Sequence, residues 1–266
     1  MKVYDFSQWQ GNINWAAVDS EIVILKMSGG DAGLYYDSKA SINYIQAKAN
    51  GKAVGGYHFA GGTNPIAEAD FFIRAMSPLA ENDVLVLDWE VSHPDPVGWC
   101  KQFIDHVHAQ TGVWCIIYMN TSTCNAHDWS PVFTNSGLWI ADYRYTPQQD
   151  VPCHHPYIMH QYTSGGSCPG VAGRVDVSEW FSDFATFNKY GYHAPVPTPP
   201  TPEPTPPPVV TPPAPEPVPE PVPTPEPTPP VEPPVLPPAP TPVPHPSIWE
   251  WFALFFKYIL SKFKKG

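Results

Sequence analysis

The sequence has few cysteines and no apolar stretch at its start. Its five cysteines are odd in number and irregularly spaced, which does not fit a disulfide scaffold. They are Cys100, Cys115, Cys124, Cys153 and Cys168. The opening residues Met1–Ser7 lack the apolar core of a signal peptide. We therefore expect a protein that is made in a reducing cytosol and keeps its thiols free.

Positive charge is scarce in the first 194 residues. They contain ten lysines and arginines against nineteen aspartates and glutamates. Nucleic acids are bound through their phosphates, which requires a basic surface, so this balance argues against a nucleic-acid partner. An acidic body fits a neutral or mixed-charge polymer better.

Metal ligands in a familiar arrangement are also missing from the sequence. The best candidate cluster, Cys153-His154-His155 with His160 and Cys168, matches no common zinc spacing. We therefore predict neither a metal site nor another cofactor.

Proline is rare in residues 1–194, which hold nine of the 37, and dense in residues 195–246, which hold the other 28. A tract so rich in proline has fixed backbone angles and few hydrogen-bond donors, so it cannot build a packed core. The composition predicts one sizeable domain over residues 1–194, a disordered, semi-rigid linker over 195–246 and a short module over 247–266.

The last twenty residues have the pattern of a cationic amphipathic helix. Ser247 and Glu250 form a capping-box pair directly before a dense apolar run. The apolar span from Ile248 to Phe263 would be about 24 Å long as a helix, short of the roughly 30 Å of a bilayer's hydrocarbon core. Its positive charge comes from Lys257, Lys262, Lys264 and Lys265. We expect it to lie on an anionic membrane or envelope surface, with self-association into a bundle as the alternative.

Strand and helix patterns alternate through residues 1–194. Apolar runs that indicate strands are separated by segments with helix start or stop signals. The predicted strands are Val3–Phe6, Ile22–Met27, Ala53–Phe59, Val84–Leu87, Val113–Tyr118, Leu138–Ala141 and Tyr157–Gln161. The predicted helical segments are Tyr36–Asn50, Pro65–Met76 and Pro96–Gln110. This alternation predicts an α/β fold with a mostly parallel sheet.

Polar or aromatic residues stand at the carboxyl ends of most of these strands. They are Asp5, Tyr57-His58, Asp88 with Glu90, Tyr118, Asp142 and Gln161. In an α/β barrel the carboxyl ends of the strands form one face, and catalytic residues lie there. The repetition of this pattern over many strands favours an enzyme.

The most informative pair of residues is Asp88 and Glu90, which closes the apolar run Val84–Leu87. Because strand side chains alternate, both carboxylates point to one face and Trp89 to the other, with the two Cα atoms roughly 6.5 Å apart. Paired carboxylates at about that separation suit the acid-assisted cleavage of a glycosidic bond. The alternative is an aspartate that caps the next helix beside a surface glutamate.

A series of short motifs follows in order along nearly all of residues 1–190. They are Asp5-Phe6-Ser7, Trp9-Gln10-Gly11-Asn12-Ile13-Asn14-Trp15, Gly56-Tyr57-His58-Phe59, Leu87-Asp88-Trp89-Glu90, Leu138-Trp139-Ile140-Ala141-Asp142-Tyr143, Gln161-Tyr162 and Gly173-Arg174-Val175-Asp176. The ordered set resembles the family 25 glycoside hydrolases, the muramidase type of lysozyme found in phages and bacteria. The resemblance implies an irregular, TIM-like (β/α) barrel that hydrolyses the β-1,4 bond between N-acetylmuramic acid and N-acetylglucosamine.

The resemblance also implies four catalytic acids, Asp5, Asp88, Glu90 and Asp176. Glu90 resembles the general acid, and burial beside a tryptophan or near other carboxylates should raise its pKa. Asp88 and Asp176 are the candidates for orienting the substrate's 2-acetamido group, and Asp5 for assisting the water or stabilising charge. The alternatives are a turn-forming role for Asp5 and, for Asp176, a cap on the segment Val177–Phe187.

Aromatic residues near the strand ends are candidates for contact with the sugar rings. They are Tyr57, Tyr118, Trp139 and Tyr162. The alternative for each is ordinary core packing, the commoner fate of such side chains. For His58, a hydrogen-bonding role in the core and a catalytic role are both open.

The sequence as a whole resembles a modular phage-type endolysin that acts on bacterial peptidoglycan. We expect such a protein in the host cytoplasm before lysis and at the cell wall afterwards. The alternatives are a bacterial autolysin or secreted wall hydrolase, a non-catalytic glycan-binding module, and a wall-binding domain that delivers a membrane-disrupting tail. The presence of all four acids argues against a module that only binds glycan.

Overall fold

Eight strands close into a barrel in the computed structural model, which describes residues 1–194. The strands are β1 Lys2–Phe6, β2 Ile22–Gly29, β3 Tyr35–Tyr36, β4 Ala53–Phe59, β5 Val84–Asp88, β6 Ile116–Asn120, β7 Leu138–Ala141, β8 Met159–Gly166 and β9 Val175–Trp180. The helices are α1 Ala40–Ala49, α2 Pro65–Met76, α3 Pro96–Thr111, α4 Thr121–Ala126, α5 Ser130–Phe133 and α6 Phe184–Lys189. The predicted linker and the predicted C-terminal helix lie outside the described residues.

The ring closes through β1, which pairs in parallel with β2 and antiparallel with β9. From β2 through β4, β5, β6 and β7 to β8, each strand pairs in parallel with the next. β9 runs antiparallel to both of its neighbours, and β3 pairs with the end of β2 beside the ring. The predicted α/β barrel is therefore confirmed.

Helices α2 and α3 start and stop where the sequence supplies capping groups. The Asn64 side chain accepts a hydrogen bond from the backbone N–H of Ala67, and Asp95 accepts one from the N–H of Gly98. α3 ends at Gly112, whose φ of 76° lies in the left-handed region. Within residues 1–194, no helix has the length and apolar character needed to cross a membrane.

Strand alternation sorts the buried side chains into two layers. On β5, Val84 and Val86 belong to a core cluster built almost entirely of strand residues, which fills the barrel. Leu85 and Leu87 belong to a second cluster that also contains side chains of α2 and α3. Asp88 has the parity of Val84 and Val86, so it faces the barrel interior. The interior thus changes from apolar to polar at the carboxyl ends of its strands.

Several predicted elements differ from those in the structure. β6 spans Ile116–Asn120 where Val113–Tyr118 was predicted, and β8 spans Met159–Gly166 where Tyr157–Gln161 was predicted. The helix predicted over Tyr36–Asn50 begins only at Ala40, because Tyr36 pairs with Ser28 in the sheet. The segment Val177–Phe187 is not one helix, since its first residues belong to β9 and α6 begins at Phe184. The alternative role of Asp176 as a helix cap is therefore wrong, and the residue that caps α6 is Asp183.

Candidate active site

A cavity of about 210 Å³ opens at the carboxyl ends of the parallel strands. It contains all four of the predicted acids and three of the four predicted aromatic residues. Its lining consists of Asp5, Ser7, Trp9, Lys26, Tyr57, Phe59, Asp88, Glu90, Tyr118, Trp139, Tyr143, Gln161, Ser164 and Asp176. The residues come from strands that are far apart in sequence, and barrel closure brings them together.

Asp88 and Glu90 enter the cavity from the end of β5, as the alternation predicts. Trp89 between them turns the other way and is fully buried, with its ring centroid 4.9 Å from that of Trp99 on α3. The alternative in which Asp88 caps the following helix is wrong, because the side chain that caps α3 is Asp95.

The Asp88 carboxyl is held in a poorly solvated position. The residue is 8 % exposed, and among the described residues its Oδ1 atom has no hydrogen-bond partner. Burial, followed by the negative charge of Glu90, raises the pKa of Asp88 well above its usual range, and the positive charge of Lys26 acts in the opposite direction. A buried carboxyl of this kind gains from a hydrogen-bond donor on the substrate.

Asp5 and Asp176 face each other across the antiparallel pair β1–β9, where they are direct partners in the register. Burial raises the pKa of Asp5 well above its usual range, and the adjacent negative charge of Asp176 raises it further. Burial also raises the pKa of Asp176. Two carboxyls so close together in a buried site do not both ionise readily, so the pair retains a proton to higher pH than either acid would alone. Asp5 lies within a strand, which rules out its alternative role in a turn.

Gln161 connects the acids to the aromatic wall. Its Nε2 donates to Asp5 Oδ2 at 2.9 Å, while its Oε1 accepts hydrogen bonds from the hydroxyls of Tyr118 at 2.9 Å and Tyr143 at 2.8 Å. The two donors fix which end of the amide points at Asp5. The amide therefore holds that carboxyl in place and, by donating to it, favours its ionised form.

Glu90 lies at the solvent-exposed side of the cluster. Partial burial and then the negative charge of Asp176 raise its pKa, against the opposing effects of Lys26 and a hydrogen bond with Asp88. A raised pKa is the direction that a proton donor requires at neutral pH. Its position also gives the carboxyl direct access to a molecule that enters from solvent.

The family model for glycosyl hydrolases family 25 matches residues 4–171 of the chain. The chain belongs to this family. The match ends before β9, so the position of Asp176 in the acid cluster rests on the register of β9 with β1 rather than on the family model.

Curated relatives of the chain include Lysozyme M1 of Streptomyces globisporus, which is 28 % identical over 194 residues that make up 65 % of each chain. The N,O-diacetylmuramidase of Chalaropsis sp is 29 % identical over 203 residues, which is 65 % of this chain and 94 % of the relative. The autolytic lysozyme of Clostridium acetobutylicum is 27 % identical over 186 residues, which is 68 % of this chain. The chain spans 65 % of the length of Lysozyme M1 and 56 % of that of the autolytic lysozyme.

A solved structure with the same fold is the catalytic domain of endolysin ply40 from bacteriophage P40 of Listeria monocytogenes. It is 30 % identical, has a TM-score of 0.62, and covers 71 % of this chain and 96 % of its own. The bacterial lysozyme of Streptomyces coelicolor is 25 % identical with a TM-score of 0.62, over 72 % of this chain and 96 % of its own.

Lys26 is a cavity residue of this family 25 chain that the sequence analysis missed. Its Nζ lies 4.4 Å from the ring centroid of Phe59 and 5.9 Å from that of Tyr57, so aromatic faces hold the cation beside the acids. The signal in the sequence was the alternation of Ile22, Ile24 and Lys26 on β2, which places all three side chains on the inner face.

Trp9 and Tyr143, also missed as lining residues, stand at the rim of the cavity. Trp9 is 82 % exposed on the short 3₁₀ turn Gln8–Gln10, which Ser7 caps, and Tyr143 is 53 % exposed. Two large aromatic side chains are thus exposed beside a polar cavity.

Tyr162, a predicted sugar-contact residue, does not line the cavity. Because Gln161 points inward on β8, alternation turns Tyr162 outward, where it packs against the core between barrel and helices. His58 is also on the outer side and fully buried, with Nδ1 2.9 Å from Ser28 Oγ and Nε2 3.0 Å from Glu68 Oε2. Of its two open roles, the structure supports the hydrogen-bonding one.

Asp142, the other acid at a strand end, does not line the cavity and forms structural hydrogen bonds instead. Its Oδ2 accepts hydrogen bonds from Arg144 at 2.6 Å and from Thr121 at 2.8 Å. The Arg144 guanidinium is the main reason why the pKa of Asp142 falls to about 2. Over residues 1–194, the structure has no group of three or more acidic, histidine or cysteine side chains placed to hold a metal ion.

Proposed function

We propose that this family 25 chain is a lysozyme that hydrolyses the β-1,4 bond between N-acetylmuramic acid and N-acetylglucosamine in bacterial peptidoglycan. The observation that carries the proposal is the convergence of four carboxyl groups in one cavity with aromatic walls. The names of the curated relatives, lysozyme and muramidase, support the same substrate.

Glu90 acts as the general acid in this proposal. It protonates the glycosidic oxygen as the bond breaks, which requires a carboxyl that still holds its proton near neutral pH. Burial and the charge of Asp176 raise the pKa of Glu90 in that direction. Its exposed position lets it reach a bond in a polymer that lies across the mouth of the barrel.

The substrate's own 2-acetamido oxygen acts as the nucleophile at the anomeric carbon. Asp88 and Asp176 flank Glu90 in the cavity and orient and polarise the acetamido group, whose N–H is a donor for a carboxylate oxygen. The unpartnered Oδ1 of Asp88 provides one such acceptor. Asp5, paired with Asp176 and held by Gln161, stabilises the positive charge and assists the incoming water.

The aromatic walls position the sugar rings through their apolar C–H faces. Tyr57 and Trp139 stand inside the cavity, while Trp9 and Tyr143 extend its wall toward solvent. Tyr118 contributes mainly through its hydroxyl, which donates to Gln161. An open rim with exposed aromatic rings suits a long polymer better than a small molecule.

The test of this chemistry is the variant Glu90→Gln, which keeps the size and polarity of the side chain but removes the acid. Turnover of purified peptidoglycan should fall by about 10²–10⁴-fold, while pelleting of the protein with insoluble peptidoglycan is retained. The matched control is Glu21→Gln at an exposed position outside the cavity, which should hydrolyse at the wild-type rate. Near-normal turnover by Glu90→Gln would remove Glu90 from the mechanism, whereas absence of turnover in the wild type would favour the glycan-binding module.

For the whole protein, we propose the role of a phage-type endolysin that is held in the host cytoplasm and then acts on the cell wall. Its support is the likeness to the catalytic domain of a phage endolysin. An autolysin is the second candidate, favoured by the similarity to the autolytic lysozyme of Clostridium acetobutylicum. The two roles are separated by when the protein is made. An endolysin is produced in infected cells shortly before lysis, and an autolysin is produced in uninfected cells.

The segment 247–266 is proposed to engage an anionic membrane or envelope surface, with the Pro-rich segment 195–246 as a spacer. The support is the sequence pattern alone: a dense apolar run with four lysines toward its end. Self-association through the same segment is the competing proposal, and sedimentation with anionic vesicles distinguishes the two.

A further inference from the structure

Two cysteines from separate elements meet near the mouth of the barrel. Cys124 lies in α4 and Cys153 in the loop between β7 and β8, and their Sγ atoms are 2.7 Å apart. Cys124 is buried and Cys153 is half-buried, so a small reagent reaches the pair from the side of Cys153. Cys168 is not part of this contact, since its thiol donates to the carbonyl of Pro169.

The side chain of Asn125 holds the backbone on both sides of Cys153. Its Nδ2 donates to the carbonyl of Pro152 at 2.7 Å, and its Oδ1 accepts from the N–H of His154 at 3.1 Å. Pro152 and His154 are the two neighbours of Cys153 in sequence, and Asn125 directly follows Cys124. The approach of the two sulfurs is therefore enforced by neighbouring contacts and does not depend on the sulfurs alone.

The two thiols differ in their chemistry. The hydrogen bond with Cys124, assisted by the backbone N–H groups of His155 and His154, lowers the pKa of Cys153 to about 7. The hydrogen bond with Cys153, together with burial, raises the pKa of Cys124. Cys153 thus supplies the thiolate, which is the nucleophilic form of a thiol, and Cys124 is the partner that holds its proton.

We propose that Cys124 and Cys153 form a reversible redox modification site, in which the two thiols close into an intramolecular disulfide on exposure to an oxidised low-molecular-weight thiol such as glutathione disulfide. The Cys153 thiolate attacks one sulfur of glutathione disulfide, forming a mixed disulfide and releasing one glutathione thiolate. Cys124 then gives up its proton and attacks the Cys153 sulfur, releasing the second glutathione. The protein thiols lose two electrons, and glutathione disulfide gains them.

The new bond would tie α4 to the loop that carries Tyr143. That tyrosine lines the catalytic cavity and donates to Gln161, so the link restrains a loop that supplies a cavity residue. The bond would form only after transfer from a reducing to an oxidising environment. Oxidation should therefore stabilise the folded barrel while the cavity keeps its shape.

The experiment incubates the full-length protein with glutathione disulfide, alkylates the remaining thiols and maps the peptides by mass spectrometry. We expect a cross-link between Cys124 and Cys153, with a rise in melting temperature of about 5–15 °C that dithiothreitol reverses. Cys124→Ser should stop at a glutathione adduct on Cys153. Cys153→Ser should form no adduct at Cys124.

Cys168→Ser serves as the matched control, because it removes a cysteine outside the pair and should leave the cross-link intact. Three outcomes overturn the proposal: no loss of thiols in the native protein, a cross-link that involves Cys168, or an adduct on Cys124 instead of Cys153. Peptide mapping of the oxidised wild-type protein tests the proposal even if a serine variant fails to fold. The readout concerns thiols alone, so it stands apart from the test of peptidoglycan hydrolysis.

Discussion

Lys26 brings positive charge into a cavity that four carboxyl groups line. Burial raises the pKa values of both Asp88 and Glu90, and the ammonium group of Lys26 opposes that rise. The aromatic rings around Nζ keep the cation close to these acids. Burial and the neighbouring carboxylates therefore raise the pKa values of these acids, and the positive charge of Lys26 lowers them.

Replacing Lys26 by methionine should shift the pH profile of hydrolysis upward. Without the cation, the pKa values of Asp88 and Glu90 rise further. Glu90 then keeps its proton to higher pH, and Asp88, which acts as a carboxylate, ionises only at higher pH. Both limbs of the profile therefore move to higher pH. At the new optimum the loss of turnover should be well short of the 10²–10⁴-fold that removal of the acid causes.

Lys26→Arg is the matched control, since arginine keeps the charge and should keep the wild-type profile. The measurement is kcat/KM on purified peptidoglycan across pH for the three proteins. An unshifted profile in Lys26→Met, or a downward shift, would contradict the electrostatic role of Lys26.

At the scale of single residues, the acids of the site could be predicted and several of their neighbours could not. Asp88 and Glu90 were visible because two carboxylates with the same parity end an apolar strand. Lys26 has the same kind of signal, but a lysine at a strand end is usually a solvated side chain. Tyr162 was chosen without regard to alternation, which places it opposite Gln161.

At the scale of elements, a buried network holds the loop between β4 and α2 against the barrel. The Glu68 carboxylate accepts hydrogen bonds from the N–H of Gly61 at 2.7 Å, the N–H of Thr63 at 2.8 Å and the Thr63 hydroxyl at 2.7 Å. His58 on β4 completes the set at 3.0 Å. The loop follows Phe59, a cavity residue, so this network also positions one wall of the site.

Glu68→Gln should destabilise the folded domain by about 2–3 kcal/mol, because an amide cannot accept from all of these buried donors. Thermal unfolding should show a fall in melting temperature of roughly 5–10 °C. Glu81→Gln, at an exposed ion pair with His193, is the control and should change little. A Glu68→Gln variant that melts with the wild type would show that the network contributes nothing to stability.

The same network predicts a pH dependence of stability. Burial alone would raise the pKa of Glu68, but the hydrogen bonds led by His58 outweigh it, so the pKa lies below its ordinary value of 4.5. The stabilisation is therefore present above about pH 4.5 and is lost as the pH falls through the lowered value. Chemical unfolding at a series of pH values should show this loss in the wild type, and less of it in Glu68→Gln.

Local sequence signals predicted several elements correctly, and long-range pairing determined the rest. β4, α2 and β7 have the predicted bounds because strong periodic patterns end at glycine, proline or asparagine. β9 was missed although Val175, Val177 and Trp180 are buried along it, since its antiparallel pairing with β1 joins distant parts of the chain. β8 runs on to Gly166 through two register shifts that no local pattern encodes.

At the scale of the whole molecule, the barrel over residues 1–194 closes on itself and has its own core. The cavity proposed as the hydrolytic site lies entirely within it. The predicted surface-binding segment 247–266 lies beyond the Pro-rich tract. Hydrolysis and surface binding should therefore separate when the chain is cut between them.

The full-length protein should sediment with anionic phospholipid vesicles, and less with neutral vesicles or at high salt, because each lysine near an anionic surface adds about 1 kcal/mol. A chain ending at residue 194 should stay in the supernatant and still digest purified peptidoglycan. Charge reversal at Lys262, Lys264 and Lys265 should weaken sedimentation without changing hydrolysis.

A different result would favour self-association through the same segment. In that case the full-length protein does not sediment with vesicles and elutes as an oligomer in size-exclusion chromatography. The chain ending at residue 194 then elutes as a monomer. That outcome contradicts the surface-binding proposal and leaves the hydrolytic one intact.

The bond that the acid cluster cleaves can be identified by mass analysis of the fragments released from purified peptidoglycan. A muramidase leaves N-acetylmuramic acid at each new reducing end, and borohydride converts that sugar to its alcohol, which mass analysis identifies. We predict reduced muramic acid ends from the wild type and about 10²–10⁴-fold fewer from Glu90→Gln. Reduced N-acetylglucosamine ends, or fragments opened only in their peptides, would contradict the account.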